Sequence, residues 1–465
     1  MDTIETACPQ GKIRGNDLDG VYEFLGIPYA QDTGRFRYAG PAPTWDGTRD
    51  ATQRPSVFPQ KTHQIKVFGA DGPVEMEQDE NSFVVNVWTP GMDDAARPVI
   101  IWIHGGGWSE GSGSYPSSSG AVFARRQDAV FVTADYRLGA LGNISLPGIA
   151  DDNLAVHDCL AVLDWVQQNI AAFGGDPGNV CLSGQSAGAW MAITLAGLQA
   201  AQGKFSKLML MSTPSPSLVA TNDIAKLTQL LISKLGMQDN PAQLLETPVE
   251  RIVEMTLEIE RDYTSLGVAF TPYDDGQLET GKVFERAAEL SGNVPLLDGV
   301  TKDEAAMMLC GARDQIDAMQ PGQLGQMAGS ILGSELGAVS AFYDERFPQD
   351  SSYDRAVRLV TDVMFAGPAN QIASAFENSY GYRIDLESAN PDLRACHCMD
   401  LPLLFGNMDV YANDPMLEGN DMEEIGRVSE RFQASVGAFM RTGCPETEMT
   451  PSWPRFKAPE DRVHF

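Results

Sequence analysis

The chain has 465 residues, 43% hydrophobic and 21% charged, and its longest apolar runs fall far short of a bilayer span, which excludes collagen-like, repeat, disordered and helical membrane proteins. A formal charge of −30 argues against nucleic acid and anionic membranes as partners and fits a soluble acidic surface. Seven cysteines scattered at 8, 159, 181, 310, 396, 398 and 444 do not form a disulfide framework, and "MDTIETACPQGKIRG" has no secretory character, so a cytoplasmic protein is expected.

From the N-terminus, turn-rich alternating stretches such as "GKIRGNDLDGVYEFLGIPYA" (11–30) and "SFVVNVW" (82–88) predict antiparallel strands on one sheet edge. Short apolar, β-branched runs then predict buried strands at Val99–Ile103, Ala129–Thr133, Val180–Ser183, Leu208–Met211, Val294–Leu297 and Leu401–Phe405. Helical patterns such as "NLAVHDCLAVLDWVQQNI" (153–170) lie between most of them. This alternation predicts an α/β fold, a large and mostly parallel central sheet with helices on both faces. Residues 222–262 and 313–377 carry helix-period patterns with few strand signals. Helical insertions at about 213–292 and 310–380 are therefore expected to form lid and gorge walls on a single domain spanning 1–465. A final helix is expected at about 421–441, where "RTGCP" supplies glycine and then proline as stop signals.

In "CLSGQSAGAW" (181–190), Ser186 stands between Gly184 and Gly188 where a buried strand gives way to a helix. A nucleophile needs that context, because flanking glycines let the chain turn sharply and leave the hydroxyl above the strand ends. Acyl transfer also needs donors for an oxyanion. "IHGGGW" (103–108) follows another buried strand, and the N–H groups of Gly106 and Gly107 join that of Ala187 as candidates. A base is drawn from His63, His104, His157, His397 and His464, of which only His397 and His464 follow the serine. His397, in a loop before a late apolar run, is preferred over the penultimate residue. Asp298, Asp303 and Glu304 are equally placed as the acid that orients it.

These residues resemble the type-B carboxylesterase family, which includes cholinesterases and bacterial p-nitrobenzyl esterases and has the α/β-hydrolase fold. "FGGDPGNVCLSGQSAGA" (173–189) matches the family's serine signature over nearly its whole length. Further matches are "IRGNDLDGVYEFLGIPYA", "NVWTP" (86–90), "WIHGGGW" (102–108), "DYRLGALG" (135–142), "WVQQNIAAFGGDP" (165–177), "GVTKDEA" (299–305) and "WPRF" (453–456). The resemblance implies a triad of Ser186, Glu304 and His397, an oxyanion hole of Gly106, Gly107 and Ala187, and Asp400 as a second acid near the histidine. It implies a serine esterase; the apolar neighbours Trp108, Trp190 and Met191 point to small to medium apolar or aromatic esters, with Trp108, Gln185 and Trp190 expected against substrate. Carbamates, amides and multi-ester xenobiotics are the alternative substrates. No metal or organic cofactor is implied, and a monomer is the favoured state.

The chain departs from the family pattern at four places. Gln185 stands where glutamate is usual, removing a negative charge beside the nucleophile. Ser82 replaces a cysteine that secreted relatives use in a disulfide. Cys396 and Cys398 flank His397 where small residues are common, which implies an oxidation-sensitive loop, and Ala305 replaces a glycine after the acid. A non-catalytic binding protein of this family would be expected to lack the serine or the histidine, and this chain retains both.

Overall fold

The apolar runs form the centre of a twisted sheet in a computed structural model that describes residues 2–61, 76–216, 219, 223–263, 268–319, 323, 336–412 and 414–465. The N-terminal strands are β1 (Asp2–Cys8), β2 (Gly11–Asp17), β3 (Tyr22–Pro28), β4 (Ala30–Gln31), β5 (Gly40–Pro41), β6 (Thr48–Asp50) and β7 (Val84–Thr89). There follow β8 (Arg97–Ile103), β9 (Val130–Ala134), β10 (Gly175–Gln185), β11 (Lys207–Met211), β12 (Leu296–Thr301), β13 (Ser379–Ile384) and β14 (Val463–His464). Their order is β1-β2-β3-β7-β9-β8-β10-β11-β12-β13-β14, with β6 beside β2 and β4 paired to β5 separately. Pairing is antiparallel along that path from β1 to β9 and parallel from β9 to β14.

Strand β8 shows why both faces must be covered. Val99, Ile101 and Ile103 enter one apolar cluster, with the helices Leu154–Asn169 and Ala187–Ala196, while Ile100 and Trp102 enter another, with Ala121–Gln127 and Met422–Thr442. Each such fully buried side chain contributes about 1.5–3 kcal/mol. The helices Ile224–Lys234 and Val249–Tyr263 form a third cluster around Ile144, Leu231, Ile252 and Phe270. Among the described residues no helix is long and apolar enough to cross a membrane.

Two expected strands change. Leu401–Phe405 is a helix, because Pro402 suits a first helical turn and Gly406, at φ 70°, closes it in the left-handed conformation. Five apolar residues carry no period that separates the two states. The run at Val294 begins its strand only at Leu296 and continues through Asp298 and Gly299 to Thr301. The last helix runs Met422–Thr442, capped by Asp421 at one end and by Gly443 in the left-handed conformation at the other. All seven cysteines are free, and Ser82 Oγ lies 3.0 Å from Ser56 Oγ while donating to Asp79 O at 2.9 Å.

Behind the sheet ends, the Arg137 guanidinium forks onto Asp158 at 2.6 and 2.8 Å, and the Arg137 N–H adds a third bond at 3.1 Å. Both side chains are buried. Removing one partner strands the other charge, so Asp158→Ala is expected to cost about 3–5 kcal/mol in urea unfolding. A second test uses Glu260 on the helix Val249–Tyr263, which accepts a hydrogen bond from Ser109 Oγ. Burial pushes its carboxyl from 4.5 up to about 7, with Glu110 acting in the same direction. The unfolded chain releases this proton near 4.5 and the fold only near 7, so its contribution to stability falls as pH rises through that window. The loss amounts to roughly 3 kcal/mol and is complete above the window. Glu260→Gln is expected to flatten that much of the slope when urea midpoints at acid and neutral pH are compared with those of the parent.

Candidate active site

Strands β8 and β10 are neighbours whose onward connections leave in opposite directions, to β9 and to β11, which opens a crevice at their carboxyl ends. β8 ends at Ile103 before the glycine loop, and β10 ends at Gln185 immediately before Ser186. Ser186 has φ 55° and ψ −124°, a conformation that costs a residue with a Cβ of the order of 1–3 kcal/mol. Surrounding contacts hold it there. Ser186 N donates to Met211 O at 2.9 Å, and Trp190 N donates to Ser186 O at 3.0 Å as the helix Ala187–Ala196 begins.

The flanking glycines are required by close approach. A Cβ on Gly188 would fall 2.0 Å from Ile103 O and 2.6 Å from His104 O, and one on Gly184 would fall 2.4 Å from the Gly188 backbone. Gly106 has φ 109° and Gly107 has φ 60°, and a Cβ on Gly106 would meet Glu110 O at 2.0 Å. The N–H groups of Gly106, Gly107 and Ala187 donate to no carbonyl among the described residues. A second glycine-flanked serine, Ser109 between Gly107 and Gly111, has the same spacing but lies in a turn with its hydroxyl bound to Glu260. Only the strand-to-helix context separates the two pentads.

Of the three acids left open by the sequence, Glu304 meets His397. Its Oε2 lies 2.5 Å from His397 Nδ1, its Oε1 accepts from Thr301 N at 2.7 Å, and its backbone oxygen accepts from His397 N at 3.2 Å. Asp298 instead pairs with Arg462 at 3.0 Å, and Asp303 N–H joins the histidine loop through Ala395 O at 2.9 Å. Asp400 is fully buried beside them. Burial pushes its carboxyl up to about 7, and the nearby Glu304 adds to the effect.

Both imidazole nitrogens of His397 are occupied. Nε2 lies 3.1 Å from Gln185 Nε2, and the same amide nitrogen donates to Cys398 Sγ at 3.1 Å. Ser186 is half-buried, and its Oγ makes no hydrogen bond in this resting arrangement among the described residues. The other histidines are engaged elsewhere: His104 stacks on Tyr136, His157 contacts Tyr38, and His464 Nδ1 lies 2.9 Å from Asp385 Oδ2. His63 lies outside the described residues.

Trp108, Gln185 and Trp190, read from sequence as substrate contacts, are 1%, 2% and 0% exposed. The two indoles meet edge to face at 5.7 Å, so they pack as a rigid pair inside the protein rather than as an open lining. Cys396 and Cys398 are buried as well. Burial pushes the Cys398 thiol well up and that of Cys396 beyond its ordinary range, which opposes formation of a thiolate at either.

Sequence reasoning missed Phe365, whose ring packs on His397 at 4.9 Å. It sits in a π-turn, Asp362–Ala366, that runs straight into a helix beginning Gly367-Pro368. Proline has no N–H for the carbonyl of Met364 four residues back, and that carbonyl accepts from Ser215 N at 2.8 Å instead. Pro368 inside a helical pattern was the available signal.

The chain matches the model of the carboxylesterase family over residues 2–464. It is 31% identical to a phenmedipham hydrolase of Pseudarthrobacter oxydans, covering 97% of this chain and 93% of that protein. It is 30% identical to the para-nitrobenzyl esterase of Bacillus subtilis strain 168, covering 96% and 91%. A solved PNB esterase structure superimposes with a TM-score of 0.83 at 28% identity, covering 97% of this chain and 93% of that one. The crevice, the serine turn and the glycine loop are thus those of a chain that belongs to the carboxylesterase family and hydrolyses carboxylic esters.

Proposed function

We propose that Ser186 is the nucleophile of this ester hydrolysis, His397 its general base and acid, and Glu304 the carboxylate that orients the imidazole. The observation that carries the reading is the 2.5 Å contact of His397 Nδ1 with Glu304 Oε2, in loops that converge on the strained turn at Ser186. Ser186 Oγ attacks the ester carbonyl carbon as its proton passes to His397 Nε2. The tetrahedral oxygen takes its hydrogen bonds from the N–H groups of Gly106, Gly107 and Ala187. On collapse the alcohol leaves with the proton from His397. Water, deprotonated by the same nitrogen, then attacks the acyl-enzyme, and the acid departs as Ser186 is restored.

The substrates are esters of small to medium apolar or aromatic compounds, within walls supplied by the described helices of the segments at about 213–292 and 310–380; residues 217–218, 220–222, 264–267, 320–322 and 324–335 lie outside the described residues. A monomer is the favoured state, and free cysteines throughout, with Ser82 in place of a cysteine that secreted relatives use in a disulfide, support work in the cytoplasm. A second reading, hydrolysis of carbamates or amides by the same residues, is favoured by the similarity to a phenmedipham hydrolase. Matched phenyl acetate, phenyl carbamate and acetanilide substrates separate the two by kcat/KM.

A fluorophosphonate probe followed by intact mass and peptide mapping is expected to give one adduct, at Ser186, absent in Ser186→Ala. Absence of labelling in folded wild-type protein would remove the catalytic assignment. Ser186→Ala is expected to lower kcat on the order of a millionfold, and Glu304→Gln roughly ten-thousandfold with KM little changed. Because the glycine loop puts no side chain beside the oxyanion, tert-butyl acetate is expected to be hydrolysed as well as phenyl acetate. An enzyme active on phenyl acetate alone would contradict that scope.

A further inference from the structure

Two departures from the family pattern, Gln185 and Cys398, touch each other and His397. We propose that they form one positioning unit in which the Gln185 carboxamide, oriented by Cys398, donates to His397 Nε2 and so holds the imidazole in the tautomer whose Nε2 is the acceptor. This rests on the assignment of His397 as the base.

The hydrogen-bond inventory leads there directly. An amide nitrogen only donates, and it has two hydrogens. Gln185 Nε2 has two acceptors, His397 Nε2 at 3.1 Å and Cys398 Sγ at 3.1 Å. The imidazole therefore presents a lone pair at Nε2 and carries its proton at Nδ1, where Glu304 Oε2 accepts it at 2.5 Å. This is the tautomer a base must have. Room for the carboxamide depends on the glycine loop, since a Cβ on Gly105 would fall 2.7 Å from Gln185 Oε1. Cys398 reaches its place through a left-handed residue, at φ 72°, and its buried thiol stays protonated, with sulfur lone pairs free to accept.

A carboxylate at 185 offers no hydrogen to either acceptor. It would face the Nε2 lone pair and leave Cys398 Sγ without a donor. The other titratable groups about the ring are Glu304 from the turn after β12, Tyr382 from β13, and Cys396, Cys398 and Asp400 from its own loop. Phe365 covers a further side without charge. Of these, Cys398 alone is bonded to Gln185 and loses a donor when that residue is replaced. Nε2 has a single lone pair, so the amide and the Ser186 hydroxyl are alternative donors, and Ser186 takes over as the reaction begins.

The test is the 15N titration of His397 in the full chain, with its signal identified by loss in His397→Asn. Wild type is expected to show the Nδ1–H tautomer with an acceptor Nε2. Gln185→Glu is expected to raise the midpoint by about one unit or more, and Gln185→Met, of similar length but without a donor, by less. Cys398→Ser, which keeps an acceptor, is expected to match wild type. In active enzyme the acid limb of the kcat/KM profile moves with the midpoint, while KM at alkaline pH stays constant. An Nε2–H tautomer in wild type, or an unmoved midpoint in both folded Gln185 variants, overturns the proposal. The titration needs no turnover, so it is distinct from failure of the esterase assignment, which shows as unlabelled Ser186.

Discussion

Everything at this site depends on how closely the start of the helix Ala187–Ala196 approaches the end of β8. Gly188 lies so near the carbonyls of Ile103 and His104 that no side chain fits, and that contact fixes where the helix begins. Ser186 must then cross from strand to helix in a single residue, at φ 55° and ψ −124°. The strain is sustained because the sheet on one side and the helix on the other each bury far more apolar surface than the turn costs. The same approach brings the glycine loop beside the serine, so nucleophile and oxyanion donors share one cause.

Much of this was legible from local pattern. The buried strands around Val99–Ile103 and Val180–Ser183 announce themselves because parallel strands covered on both faces are apolar at every position. The glycines at 184 and 188 are legible for the same physical reason that makes them necessary. What stayed hidden was whatever depends on partners distant in sequence. Asp298, Asp303 and Glu304 are alike by local pattern; the family resemblance implies Glu304, and the arrival of His397 from ninety-three residues away supplies the physical reason. Leu401–Phe405 is a helix where composition predicts a strand, because a short apolar run has no period and its terminal signals, Pro402 and Gly406, weigh more than its composition. Trp108 and Trp190 were assigned by chemistry to substrate, yet their mutual packing takes them out of solvent.

The electrostatic character of the site likewise differs from that of the chain. The formal charge of −30 counts every carboxyl as ionised. Burial pushes Asp298 up to about 6 and Asp400 up to about 7, close to Glu304, and Glu260 behind the glycine loop up to about 7. Arg462 offsets the first of these by direct contact. The buried carboxyls thus keep their protons to higher pH than ordinary surface ones, a separation between site and surface.

That separation gives the substitutions around His397 a common logic. A catalytic imidazole already touches one carboxylate, Glu304, with Asp400 nearby. A further carboxylate buried beside them would need partners of its own in a dry environment. An amide at 185 fills the space of a carboxylate without its charge and adds hydrogens that satisfy Nε2. Its second hydrogen then needs an acceptor in a dry environment, where an unsatisfied donor costs about 1–3 kcal/mol. Cys398 Sγ is that acceptor, at 3.1 Å. The two residues are therefore one solution to one problem, and neither is intelligible as an isolated substitution.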